Sequence, residues 1–472
     1  MSISTLVAAV TLAIVTQDQS VLRAAPRESA QQQTVLSQGD TLEVRGEKQD
    51  YLQVYDHRRE RAGYVRASQV RRTSLTSAEA PELLAIARFV RDTPGSEAMG
   101  IALVAAYVKA APTQAIDAET FDMLGTLSDR LARRASMASK AQEATIAAHL
   151  EVAKGLGVVF KEIERDGRVR VCYDGEAFRR VLAMSKDGQQ LANAALAITR
   201  PECIDPAMLP TERIGLDQWR ADVLDRVDMA RLPEHIKNRI RARSASVWAS
   251  VAFNQARRGE SANVAATRAL DALAGVNKAE LAEEDQSAYT EAAIRVGAVR
   301  WGALAVLPMT AAPKVVVTTS AGESGQTCVA LSDAKRANAR PATVRCTYGI
   351  VWTQSASVNA DGSVVTLAVQ PFDAWRELWV FKLGVAGWTV DVLPPASSSP
   401  DLGYVEFAGW VPGGTHFLAA RETRVDGRTR KSFELVRLDT LSTEKKAEEP
   451  SSLSTFYRWQ DAAWKKQTVS LR

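Results

Sequence analysis

Histidine is scarce in this sequence. His57, His149, His235 and His416 are the whole set, and no two stand three or four residues apart. A helix needs that spacing to aim two imidazoles at one metal ion, so a helical zinc couple is excluded. Cysteine is equally sparse: Cys172, Cys203, Cys328 and Cys346 include no CxxC and have no histidine close by. The usual zinc patterns are therefore missing. Phosphate-cradling loops are missing too, since neither GxxxxGK[ST] nor GxGxxG occurs. No metal and no cofactor are expected. An excess of one charge is also lacking, with 59 Lys and Arg against 55 Asp and Glu, a net +4 over 472 residues. Nucleic-acid binders carry a basic excess or stripe, so nucleic acid is not an expected partner.

What remains is a globular composition, 46% hydrophobic and 24% charged, in a chain long enough for roughly three domains. The apolar run Thr5 to Val15 has signal-peptide length, yet no Lys or Arg precedes it and no small-x-small site follows cleanly. It is too short to span a bilayer, and no integral membrane span is expected. Residues 1–10 are read as an export or apolar N-terminal segment, and Thr11 to Val15 as the first strand of the next domain. An export signal upstream of this start fits as well. The cysteines fall into two local couples, Cys172 with Cys203 and Cys328 with Cys346. In an exported protein each couple closes a modest loop and contributes about 3 kcal/mol. In the cytosol the same residues are four buried thiols. Four cysteines allow three connectivities, and the spacing alone does not choose.

From 11 to 74 the rhythm is that of short strands. Leu12–Val15, Ser20–Ala25, Val35-Leu36, Leu42 with Val44, Tyr51–Val54 and Gly63–Val65 are each closed by Gly, Pro or Asp. The order V-L-R-x-x-P, L-x-x-G-D-x-L-x-V, Y-L-x-V, G-Y-V resembles the bacterial SH3-like domain of cell-envelope proteins, over about 60 residues. The resemblance implies a small β-barrel that binds cell-wall peptide or a partner protein, or serves as a structural module. Its groove is expected around Tyr51, Tyr55 and Tyr64, with Tyr51 where the family often has Trp. The charged tip Asp56 to Arg61 is read as a solvated loop.

From 77 to 310 the spacing of apolar residues changes to three and four. Helices are expected over Pro81–Val90, Ala98–Ala110, Ala118–Leu131, Ala141–Ile163, Gly175–Met184, Gln189–Ile198, Leu216–Val227, Glu234–Arg257, Asn263–Ala274 and Ala279–Val306. Breaks fall at Pro94-Gly95, Pro112, Pro201, Pro206 and Gly259. The texture is similar to tetratricopeptide arrays without their consensus, and predicts a solenoid-like helical array. Arg168–Gly175 reads as a strand and turn inset.

From 313 to 472 the period returns to two, and seven of the ten tryptophans lie here. Strands are expected at Lys314–Thr319, Thr343–Trp352, Ser363–Gln370, Glu377–Leu383, Trp388–Leu393, Tyr404–Trp410, His416–Glu422 and Ser432–Leu438. Trp352, Asp361-Gly362 and Leu378–Phe381 echo as Trp410, Gly413-Gly414 and Phe433–Val436, an offset of 52 to 58 residues. That suits four-stranded meanders and resembles the blade motif of periplasmic β-propellers. Phe456–Val469 is expected to be a third partial unit, and an open β edge offers a route to oligomers. The expected fold is thus multidomain α and β: an SH3-like barrel, a helical array and an antiparallel meander domain.

No catalytic constellation stands out. Ser332–Lys335 matches S-x-x-K without its companion motifs, and Gly322–Gly325 is no nucleophile elbow, because its second glycine comes one residue early. The acidic residues Glu283-Glu284-Asp285 and Glu162 with Glu164 read as wet helix faces. Wall enzymes joined to SH3-like modules carry a Cys-His pair or zinc histidines, which are missing here. The expectation is a non-enzymatic scaffold or interaction protein of the periplasm or cell envelope, binding a protein or peptidoglycan peptide. The alternatives are a cell-wall hydrolase using a cleft near His416 and Glu406, or a cytoplasmic adaptor.

Overall fold

The computed structural model describes residues 11–165, 167–303, 314–333, 342–397, 401–425 and 427–467. These residues divide into two compact units. One runs up to Leu209 and includes Val227–Arg231; the other comprises Pro210–Arg226 and the residues from Leu232 on.

The first unit opens with seven strands: β1 (Leu12–Val15), β2 (Ser20–Arg23), β3 (Gln32–Leu36), β4 (Thr41–Lys48), β5 (Tyr51–Asp56), β6 (Arg61–Arg66) and β7 (Val70–Thr73). They form one antiparallel sheet of order β3-β2-β6-β5-β4-β1-β7. Ala13 and Val15 of β1 join Leu22, Leu36, Leu42, Leu52, Val54 and Val65 in the core of this sheet. Ile14, pointing the other way, joins the helical core. The strand is buried on both faces, which accounts for its unbroken apolar sequence.

Six helices follow, α1 (Ala80–Arg91), α2 (Glu97–Ala110), α3 (Ala118–Ser136), α4 (Glu143–Gly155), α5 (Glu176–Met184) and α6 (Gly188–Ile198). Aspartates cap two of them: Asp117 accepts from the Thr120 amide at 3.3 Å and Asp187 from the Gln190 amide at 2.8 Å. The sheet meets α2 at Gly39, where φ is +88° and a Cβ would lie 2.6 Å from the Ala98 carbonyl oxygen. Only glycine satisfies both conditions.

The helix expected over Ala141–Ile163 is shorter. It stops at Gly155, Gly157 takes a left-handed φ of +93°, and β8 (Phe160–Arg165) pairs with β9 (Arg168–Tyr173). The glycine ends the helix, and the branched residues Val158, Val159, Val169 and Val171 favour extended backbone.

The second unit holds α7 (Pro210–Asp225), α8 (Glu234–Arg257), α9 (Asn263–Ala274) and α10 (Gln286–Val299), followed by β-sheet. β10 (Val315–Ala321), β11 (Thr327–Asp333) and β12 (Ala342–Thr347) make a three-stranded sheet. β13 (Ile350–Val358), β14 (Val364–Phe372), β15 (Trp375–Gly384) and β16 (Gly387–Leu393) form one antiparallel meander. β17 (Leu402–Trp410), β18 (His416–Val425), β19 (Arg428–Arg437) and β20 (Thr443–Ala447) form another. A short parallel pairing of Trp375-Arg376 with Gly403-Tyr404 joins them.

Several expectations change here. The helix expected over Ala279–Val306 is shorter: Lys278–Glu280 and Glu283–Asp285 are single 3-10 turns and α10 begins at Gln286. Thr343–Trp352 is two strands split by a turn at Tyr348-Gly349, and β11 had no expected counterpart. Phe456–Val469 was expected as strand, but α11 (Ser454–Trp459) and α12 (Ala462–Gln467) are helices. Phe456 lies on α11 and Trp464 on α12, and each helix is only six residues long, too short for an apolar period to separate helix from strand. Val469 lies outside the described residues, as do 1–10, Lys335 and 304–313.

The β layers stack. Val315, Val329 and Leu331 pack against Val365, Leu367, Trp379 and Phe381. Val364, Leu378 and Val380 on the other face of that meander pack against Val405, Phe417 and Val436. Tyr404, Leu418 and Phe433 then meet Ile294 and Ala298 of α10 together with Phe456 and Trp464. Gly297 admits the Tyr404 ring, which would lie 2.3 Å from a Cβ there.

Both cysteine couples are disulfides. Cys172–Cys203 ties β9 to the turn Pro201–Cys203, and Cys328–Cys346 links directly opposed residues of β11 and β12. Among the described residues no helix is long and apolar enough to cross a membrane. Protein isolated without reductant should therefore give no free thiol on alkylation under denaturing conditions. Cys172→Ser/Cys203→Ser should lower the unfolding free energy of the first unit by about 3 kcal/mol in a urea titration.

Candidate functional site

Alternation along β5 and β6 decides which side chains reach the outside of the N-terminal sheet. Leu52, Val54 and Val65 face the core, so Tyr51, Gln53 and Tyr55 of β5 and Ala62, Tyr64 and Arg66 of β6 share the opposite face. The three expected tyrosines therefore lie on one surface, but not equally. Tyr51 is only 3% exposed, with the Arg66 guanidinium 5.7 Å above its ring, and acts as a packing residue. Tyr55 and Tyr64 are half-buried and available.

Around Tyr55 a polar cluster assembles. Glu43 is its cross-strand partner, and the register shift between Val44 and Gly46 marks a bulge at Arg45. The Arg45 guanidinium lies 4.1 Å from the Tyr55 ring centre and donates two bonds of 3.3 Å to Glu43. His57 meets the Tyr55 ring edge-on at 4.9 Å, and its Nε2 is 2.6 Å from Glu43 Oε2. Hydrogen bonds from Arg45 and then His57 hold the Glu43 carboxyl below its ordinary pKa. The result is an aromatic ring framed by fixed cation, anion and imidazole. Such a surface offers stacking and hydrogen-bonding groups side by side. Arg45 and Glu43 were not expected from sequence; only the alternation in Leu42–Arg45 hinted at them.

The charged tip beyond Asp56 folds back on itself. Arg58 and Arg59 reach Asp40 at 3.0 Å, and Arg59 also bonds Asp56 at 2.6 Å. His149 is buried in α4 with Nε2 2.8 Å from Asp18, tying helix to sheet. His235 is exposed in the first turn of α8, and His416 pairs with Glu444 at 2.7 Å. No group of histidine, cysteine and carboxylate among the described residues is arranged to hold a metal. Glu162 and Glu164, expected on a helix, lie on β8.

Glu406, the carboxylate considered for a cleft, is fully enclosed. It accepts from Arg376 Nη2 at 2.6 Å, from Trp464 Nε1 at 2.8 Å and from Arg300 Nε. Arg376 also donates to the Gly297 and Ala298 carbonyls of α10 at 2.8 and 3.3 Å. Burial alone would raise the Glu406 pKa; the two guanidinium groups outweigh it and hold it low. Glu406 is therefore a structural anchor, and His416 belongs to a separate surface pair.

No family model, no curated protein and no solved structure matches this chain. Its chemistry is read from its own residues alone.

Two measurements follow from this geometry. Tyr51→Ala should destabilise the first unit by about 3 kcal/mol, while Tyr55→Ala costs less than about 1 kcal/mol; paired urea titrations separate them. Because the Glu406 pKa is depressed, its contribution is complete above the unfolded-chain value of about 4.3 and fades as pH falls toward the lower folded value. Glu406→Gln should lower stability at neutral pH and flatten the acid limb of the unfolding profile of the second unit.

Proposed function

We propose that the chain is a non-enzymatic scaffold of the periplasm or cell envelope, and that the Tyr55–Tyr64 face of its N-terminal sheet binds a partner protein or a cell-wall peptide. In this reading the seven-stranded sheet is an SH3-like module. The helices α1–α6 of the first unit and α7–α10 of the second are read as helical-array segments, and β13–β16 with β17–β20 as blade-like units. The sequence resemblance supports the first assignment, and the order of the two meanders supports the last.

The observation that carries the function is the Tyr55 cluster. Arg45, Glu43 and His57 hold one another around an accessible ring, so a ligand meets a surface already ordered. Two disulfides support an oxidising compartment, where such bonds persist. The cytoplasmic adaptor loses ground for the same reason. The hydrolase reading loses its proposed carboxylate, since Glu406 is fully engaged by Arg300, Arg376 and Trp464.

The test is binding of a purified peptidoglycan stem peptide to the immobilised chain. Wild type should retain the peptide, and Tyr55→Ala/Tyr64→Ala should lose about ten-fold in affinity with an unchanged far-ultraviolet CD spectrum. Retention by a folded double variant would move the site elsewhere. If wild type retains no peptide, the partner-protein arm stands alone.

A further inference from the structure

Arginines converge where the end of α3 meets the β8–β9 hairpin. Arg130 and Arg134 both bond the buried Glu97. Asp129 takes Arg133 at 2.8 Å and Arg200 at 2.6 Å. Arg200 is itself buried; it donates to Cys203 Sγ at 3.2 Å and lies 4.0 Å from Glu202. Each carboxylate here already answers one or two guanidinium groups.

The hairpin adds more positive charge. Arg165 opposes Arg168, Ile163 opposes Arg170 and Lys161 opposes Cys172, so these six side chains share one face. The disulfide to Cys203 turns that face toward the turn Pro201–Cys203, and Arg165 donates to the Pro201 and Ile204 carbonyls at 3.2 Å. Burial first, and then the fields of Arg133 and Arg170, depress the Arg200 pKa against the pull of Asp129. Arg133 shares Asp129 with Arg200, and the disulfide holds the strand that carries Arg170 against the Arg200 turn. Arg133, Lys161, Arg168 and Arg170 are exposed. Among the described residues Lys161, Arg168 and Arg170 make no ion pair.

We propose that this face, carrying Arg168 and Arg170 on a hairpin joined to the Arg200 turn by the Cys172–Cys203 disulfide, docks an extended acidic segment of a partner protein. Charge complementarity selects the occupant. The guanidinium forks match carboxylates two bonds at a time, and Asp129 is already shared between Arg200 and Arg133, which leaves Arg168 and Arg170 as the cations open to a ligand. The two-stranded sheet has no third strand among the described residues, so β8 leaves an edge to an extended chain. A nucleic acid fits less well, since it needs a longer basic track than this patch and the chain is nearly neutral overall.

The probe is a fluorescein-labelled peptide of alternating Glu and Ala, followed by anisotropy at about 50 and about 300 mM salt. Wild type should bind it, more weakly at the higher salt. Arg168→Glu/Arg170→Glu should weaken binding about ten-fold or more. Arg428→Glu/Arg430→Glu, an equal charge change on the exposed end of β19, should leave it unchanged. Absence of binding by wild type, unchanged binding by the hairpin variant, or an equal loss in both variants overturns the proposal. So does tighter binding of a labelled single-stranded oligonucleotide of matching charge.

Discussion

One carboxylate sets the architecture of the second unit. Glu406 lies inside the protein between Arg300 and Arg376, with the Trp464 indole on its remaining oxygen. Removing two guanidinium groups and a carboxylate from water costs several kcal/mol per ion, and their attraction only roughly offsets it. The set therefore adds little net stability when complete. Losing any member strands a buried charge, at a cost of about 3–5 kcal/mol. Such a network selects among arrangements. The end of α10, strand β15, strand β17 and helix α12 must all be in place together, because each supplies one member. Gly297 enforces the same docking by contact, since any side chain there would strike the Tyr404 ring.

Arginine recurs in this role. Arg59 spans Asp40 and Asp56 in the N-terminal sheet, and Arg220 is buried against Asp217 in α7. Arg295 links Glu291 to Asp373. The planar guanidinium satisfies two acceptors at fixed angles, which suits junctions between elements better than the flexible ammonium of lysine. Not every arginine is engaged in this way: Arg168 and Arg170 on the disulfide-pinned hairpin are exposed, as are Arg428 and Arg430 on β19. An exposed ion pair is worth little, about 0–1 kcal/mol, so surface charge is free to serve recognition.

Alternation in β5 and the spacing of three to four along the helices were legible because burial on one face imposes them, while strands buried on both faces, such as β1 and β14, show as short apolar runs. Glu234–Arg257 matches α8 residue for residue, and β1 could be read from Leu12–Val15. The misreadings share a cause. The run from Ala141 keeps an apolar rhythm through Ile163, and only the left-handed Gly157 changes the backbone state. At the other end Phe456 and Trp464 look like strand aromatics because strand aromatics surround them. Tyr51 and Tyr55 are indistinguishable by alternation, yet one is covered and the other is not. Coverage comes from residues distant in sequence, which a local pattern does not contain. The Arg200–Asp129 pair was invisible for the same reason.

The aromatic misreading has a physical logic that bears on the β layers. Each meander is apolar on both faces, so every layer needs another against it. The first face of β13–β16 is met by β10 and β11, and the second by β17–β20. A ring of blades would meet the last face with a further meander. Here Ile294 and Ala298 of α10, Phe456 of α11 and Trp464 of α12 cover it. Large rings fill that area with few residues, and Phe433, Phe456 and Trp464 meet edge to face with centres 5.1 to 6.4 Å apart. The helices thus cover the face that the second meander would otherwise leave open. Because Trp464 also donates to Glu406, the covering aromatics and the buried charges are one device: the stack ends where its carboxylate is satisfied.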